Sequence, residues 1–139
     1  MRKNIGLYKA KRKDNGKWVY GFYIGDIGDG CHEICDINDI TGHRVEVEPE
    51  TVCECSGTTD KNEQLIYEGD MLKYTDSFDH THIGFVVWSV GCFSLQSMIS
   101  RNCPAIDIIL AKFDIEIVGN IHDMAEAASR CLSDSTDIV

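Results

Sequence analysis

Short alternating runs, broken by clusters of glycine, asparagine and aspartate, fill this chain, and that punctuation limits its fold more than any other feature. "KWVYGFYIG" places Trp18, Tyr20, Phe22 and Ile24 on one face of a strand. Upstream, "NIGLYKAKRK" is strand-compatible, and Asp14, Asn15 and Gly16 join the two. Asn-Gly supplies the positive φ angles of a tight hairpin turn. "GDIGDG" (25–30) is a loop, "CHEICDIN" a short strand and "DITG" (39–42) a turn. "HRVEVEP" alternates through Val45 and Val47 until Pro49, which has no amide to give a ladder.

"TVCEC" reads as extended and "SGTTDKNEQ" as a turn region, with "EGD" launching "MLKY". "IGFVVWS" and "CFSLQS" form a hairpin around Val90 and Gly91. The apolar runs Ile106–Leu110 and Ile115–Val118 are rich in β-branched residues, which favours strands. The one clear helix is "HDMAEAASRCL", with Asp123 as N-cap and Glu126 completing a capping-box pattern. A polar tail follows.

A chain of 139 residues, 43% apolar and 26% charged, makes one compact domain or two small lobes. The expected fold is mostly β. Residues 1–60 form a small N-terminal β lobe carrying a basic hairpin. Residues 61–122 form a small barrel of about five strands, built from Leu65 to Ile121. Residues 123–139 form a short helix and tail.

No apolar run is long enough to span a membrane, and "MRKNIGLYKAKRKDNGKW" lacks the apolar stretch of a signal peptide. The cytoplasm is therefore the expected compartment. Seven cysteines, an odd number in a reducing compartment, are expected as free thiols, several of them buried.

Four pieces carry a family resemblance in order and spacing. They are "PETVCECSGTTDKNEQLIYEGDMLKY" (Pro49 to Tyr74), "KWVYGFYI", "IGFVVWSVGCFSL" and "IEIVGNIHD". Together they span residues 17 to 123 and resemble the YopX family of small phage and prophage proteins. The resemblance implies a largely β fold with an SH3-like β-barrel in the C-terminal half, and a phage or prophage origin in a bacterial host. It supplies no catalytic residues. The cysteines at 31, 35, 53, 55, 92, 103 and 131 and the long polar C-terminal end are not part of the family pattern.

Each candidate chemistry has a bland rival. In "YEGD", Glu68 and Asp70 are a carboxylate pair suited to acid–base work or a divalent ion. The favoured reading is a turn at Gly69, with Asp70 bonding nearby backbone amides and Asp60 making an Asx turn with Asn62. Cys31, His32, Cys35, Cys53 and Cys55 offer four thiolates to zinc, but neither spacing is a C-x2-C knuckle. Cys53 and Cys55 share a strand face, which suits core packing equally. His80 and His82 read as solvated loop histidines rather than a metal pair. There is no G-x-S-x-G, P-loop or dinucleotide fingerprint, so no catalytic, metal or cofactor residue is expected.

Net charge is −10, yet the first twenty residues hold Arg2, Lys3, Lys9, Lys11, Arg12, Lys13 and Lys17 against Asp14. Lys9, Lys11, Arg12, Lys13 and Lys17 beside Tyr8, Trp18, Tyr20 and Tyr23 form a candidate nucleic-acid or partner surface. The bland rival puts the aromatics in the core and uses the lysines to protect an edge strand. Met124, Ala127, Ala128 and Cys131 make an apolar helix stripe that docks on the body, a partner or a second copy. The leading expectation is a non-enzymatic binding module acting on a host or phage protein. A nucleic-acid-binding module using the basic hairpin is the alternative.

Overall fold

The structure, a computed structural model, describes residues 6–25, 28, 30–89, 91–98 and 103–124. The fold is mostly β, as expected. The chain divides into two compact units, Met1–Thr59 with Leu65–Glu68 and Asp60–Gln64 with Gly69–Val139. The expected boundary at residue 60 thus falls within a hairpin whose strands and tip are assigned to different units.

The first unit holds β1 (Leu7–Lys11), β2 (Trp18–Ile24), β3 (His32–Asp36), β4 (Arg44–Val47), β5 (Cys53–Thr59) and β6 (Leu65–Tyr67). They form one antiparallel sheet in the order β4-β3-β2-β1-β5-β6. The β1–β2 hairpin closes where Asn-Gly predicts. Arg12 N donates to Lys17 O at 2.9 Å, Lys17 N donates to Asn15 Oδ1 at 2.9 Å, and Gly16 adopts φ +71°. The turn at 39–42 forms through Asp39, whose Oδ1 accepts from Thr41 N and Oγ1. Val45 and Val47 point inward from β4, and Pro49 starts a 3-10 turn, Pro49–Thr51.

Both faces of this sheet bury apolar side chains. Ala10, Val19, Ile34, Val45 and Val47 pack on one face, with Tyr8, Tyr23 and Val52 against them. Leu7, Cys53, Cys55 and Tyr67 pack on the other, with Trp18 and Leu65. The stretch Ser56–Thr59, expected as turn, continues β5. Gly57 (φ +81°) absorbs a register shift between Cys55 and Thr59, and two threonines suit the strand beyond it.

The second unit holds β7 (Asp70–Thr75), β8 (Thr81–Ser89), β9 (Cys92–Ser97), α1 (Ile106–Leu110) and β10 (Glu116–Asn120). Its antiparallel sheet has the order β10-β7-β8-β9. Among the described residues this sheet has four strands where about five were expected, because Ile106–Leu110 is helical. β-branching is a weak preference that packing overrides. Here Ala105 is extended, and Ile106 and Ile109, one helical turn apart, both reach the interior. Pro104 O accepts from Leu95 N at 2.8 Å, which anchors the approach to α1 on β9. Leu72, Val86, Phe93, Leu95 and Ile115 are the other buried apolar residues of this unit among those described.

The expected C-terminal helix begins earlier than Asp123. Residues 121–124 are helical, and Asn120 is the N-cap, its Oδ1 accepting from His122 N at 2.9 Å. Ala127, Ala128 and Cys131, the tail, Arg2, Lys3, Val90 and part of the 25–30 loop lie outside the described residues.

Candidate functional site

The basic hairpin divides into two parts with opposite fates. β1 is not an edge strand but lies between β2 and β5. Lys9 and Lys11 are consequently 8% and 4% exposed. Lys9 Nζ sits 4.6 Å from the centroid of Trp18 and 5.1 Å from that of Tyr67, and Lys11 Nζ sits 5.4 Å from Trp18. A lysine stem is apolar, so it packs on the rings while the ammonium meets their negative faces.

The aromatics of β2 go the other way. Tyr20 is 36% exposed and Phe22 55%, while Val19 and Gly21 fill the opposite, buried face. Tyr20 leans on Tyr67, ring centroids 5.9 Å apart, and Ile37, also exposed, is hydrogen-bonded to Tyr20 through the backbone. The expectation of aromatics inside and lysines outside is inverted along this part of the hairpin. Tyr8 and Tyr23 pack against each other on the far face, ring centroids 5.4 Å apart and tilted, away from the cations. Tyr23 continues to His32, whose Nδ1 is hydrogen-bonded to the tyrosine hydroxyl.

Arg12, Lys13 and Lys17 reach the tip. Lys17 is exposed there. Arg12 grips Asp14 through two bonds, Nε to Oδ1 at 3.0 Å and Nη2 to Oδ2 at 2.8 Å. These bonds hold the Asp14 carboxyl below its ordinary range. Lys13 Nζ lies 3.7 Å from Glu46. β4 returns to the tip through a bridge between Arg12 and Val47 and a bond from Lys13 N to Glu46 O. That return brings His43 and Arg44 beside Arg12 and Lys13, lining a concavity of about 350 Å³. The sequence reading missed both residues. The available signal was the alternation of "HRVEVEP", which puts Arg44 and Glu46 on the face opposite Val45 and Val47.

At "YEGD" the chain turns into β7. Gly69 has φ +87°, which a turn ahead of β7 requires, and its N–H donates to Val86 O at 2.8 Å. Asp70, 1% exposed, accepts from the Asn120 side chain at 2.9 Å rather than only from nearby amides. Asn120 thus joins the start of β7 to the end of β10 while capping the helical turn. Glu68 neighbours Glu54, and burial followed by that repulsion raises its carboxyl. Asp60 makes the expected Asx turn, its Oδ1 accepting from Asn62 N and Gln64 N. Its other oxygen accepts from Ile117 N at 3.1 Å.

No disulfide joins the six described cysteines to one another. Cys53 and Cys55 lie together in the core, Cys53 donating to Thr51 O, while Cys35 reaches Gly42 O. Among the described residues no group of three or more histidine, cysteine or acidic side chains is arranged to hold a metal. His80 and His82 do share a partner. His82 Nε2 donates to Asp76 Oδ2 at 2.8 Å, and His80 Nδ1 is 3.8 Å from the same oxygen. The His82 bond, then amide bonds from His80 and Phe78, lower the Asp76 carboxyl to about 2. No helix of the described residues is long and apolar enough to cross a membrane.

A family model described as YopX protein matches residues 7–127, so the chain belongs to the YopX family. No curated protein matches the chain.

Proposed function

We propose, from YopX family membership as the premise, that this chain is a phage or prophage accessory protein acting without catalysis. It serves as a binding module for a host or phage protein in the bacterial cytoplasm. One observation carries the reading: the outward row of Tyr20 and Phe22 on a central strand, beside the exposed Ile37. Large aromatics left outside on a rigid sheet are characteristic of protein-contact surfaces. Buried lysines beside them on neighbouring β1 hold the Trp18 and Tyr67 rings that frame the row.

Nucleic-acid binding at the hairpin tip is the second reading, favoured by Arg44 and His43 joining Arg12 and Lys13. Affinity capture from host lysate, with and without nuclease, separates the two. Capture of a protein that survives nuclease and is lost with Phe22→Asp supports the protein-binding reading. Material that vanishes with nuclease, and with Lys13→Glu plus Arg44→Glu, shifts the function to the tip. Turnover abolished by changing one polar residue would sink both.

A further inference from the structure

The second unit contains a concavity of about 490 Å³ that the functional reading above does not use. Three lysines line it, Lys61, Lys73 and Lys112, together with the rings of Tyr74 and Phe113. Two carboxylates, Asp114 and Glu116, complete the charged lining. In a chain of net charge −10, three lysines around one hollow run against the overall field.

Their pairing is uneven. Glu116, opposite Lys73 in the β7–β10 ladder, is held by Lys61 at 3.7 Å. Among the described residues, Lys73 and Lys112 have no ion pair. Two ammonium groups therefore face the hollow with their charge unspent, which is the condition for taking up an anion.

The rings form a column. His82 stacks on Tyr74 at 4.8 Å, and Tyr74 stacks on Phe113 at 5.2 Å. Asp76 fixes the far end by its bond to His82. Phe113 is fixed at the near end, its N–H donating to Ile109 O at 2.9 Å as α1 ends. The Lys61 backbone is tied to Ile115 O at 2.8 Å. The hollow is thus bounded by backbone that is hydrogen-bonded in place, and its aromatic column ends at a half-buried ring.

We propose that this concavity binds a phosphorylated planar ring, with a nucleoside monophosphate as the ligand class. The ring extends the column at Phe113, and the phosphate lies between Lys73 and Lys112. The volume fits a small molecule of that size. A longer polyanion is disfavoured, because Asp76 and Asp79 follow β7 and Asp107 lies on α1.

The test is calorimetric titration of the full chain with AMP, GMP, CMP and UMP, and separately with adenosine and inorganic phosphate. At least one monophosphate is expected to bind, with its nucleoside and phosphate each about tenfold weaker or worse. Phe113→Ala and Lys112→Glu are each expected to weaken it about tenfold, the loss expected for one ring stack or one charge contact. Lys112→Gln, a milder change on an exposed residue, should weaken it in the same direction. Lys13→Glu, in the other unit, should leave it unchanged. Failure of all four monophosphates to bind overturns the proposal. So does binding that Phe113→Ala and Lys112→Gln both leave intact, or phosphate binding as tight as the monophosphate.

Discussion

The hairpin-tip concavity of the first unit and the lysine hollow of the second have the same formal charge balance. The tip sets Arg12, Lys13 and Arg44 against Asp14 and Glu46; the hollow sets Lys61, Lys73 and Lys112 against Asp114 and Glu116. Counting lysines and arginines against carboxylates, each comes to three cations minus two carboxylates. At the tip both carboxylates are engaged, Asp14 by Arg12 and Glu46 by Lys13. In the hollow only Glu116 is, which leaves two lysines without an ion pair among the described residues. Among the described residues the tip is lined by one ring, the His43 imidazole, whereas the larger rings of Tyr74 and Phe113 line the hollow. The charge cluster that stands out in the sequence is the more neutralised of the two in the fold.

Each concavity is held by its own frame, and the largest effects come from breaking these frames. A Cβ on Gly21 would lie 1.9 Å from Cys35 O, a clash with backbone that no rotamer relieves. Gly21→Val should cost about 3 kcal/mol or more in urea unfolding. An unchanged midpoint would mean that β2 and β3 are not held as described. In the second unit, Asp70→Ala strands the buried Asn120 amide and should cost about 2 kcal/mol. Asp70→Asn, which keeps an acceptor, should cost less; equal losses would separate stability from that bond.

Freeing the tip is the sharper test. Asp14→Ala with Glu46→Ala releases Arg12 and Lys13, and should lengthen retention on heparin and steepen its salt dependence. The accompanying change in stability should be small, since both pairs are exposed. Unchanged retention would show that pairing is not what distinguishes the two concavities.

The smallest effect concerns the column behind the hollow. The Asp76 carboxyl is lowered from an ordinary 3.8 to about 2, chiefly by His82. A depressed folded value contributes stability that is present above the unfolded value and lost as pH falls toward the folded one. The urea midpoint should therefore drop between about pH 4 and pH 2. Asp76→Asn should flatten that part of the profile, and an identical slope in the variant would contradict the assignment.

What was legible in the sequence was local. Asn-Gly fixed the first hairpin, Asp39 and Asp60 fixed their turns, and alternation identified the inward valines of β4. What escaped depended on contacts between distant residues. Lys9 and Lys11 read as surface because their charge is visible in sequence and the rings beneath their stems are not. The β-branched run at Ile106–Leu110 read as strand because its packing partners lie elsewhere in the chain. The hollow gathers Lys61, Lys73 and Lys112 from a hairpin tip, a strand and a helix end, so no window of sequence contains it. The Asp70–Asn120 bond spans fifty residues.

The central position of β1 has a consequence during synthesis. Strands β1 to β4 pair with sequence neighbours, but the second partner of β1 is β5, which begins at Cys53 and pairs at Lys9 and Tyr8. Until that segment leaves the ribosome, β1 is the open margin of a growing sheet, with its backbone groups available to other chains. Lysines deter such pairing, so Lys9 and Lys11 guard the margin in the nascent chain and become interior residues when β5 arrives. A fragment ending at residue 52 should stay dispersed with these lysines and aggregate when both are changed to threonine; equal behaviour would remove that role.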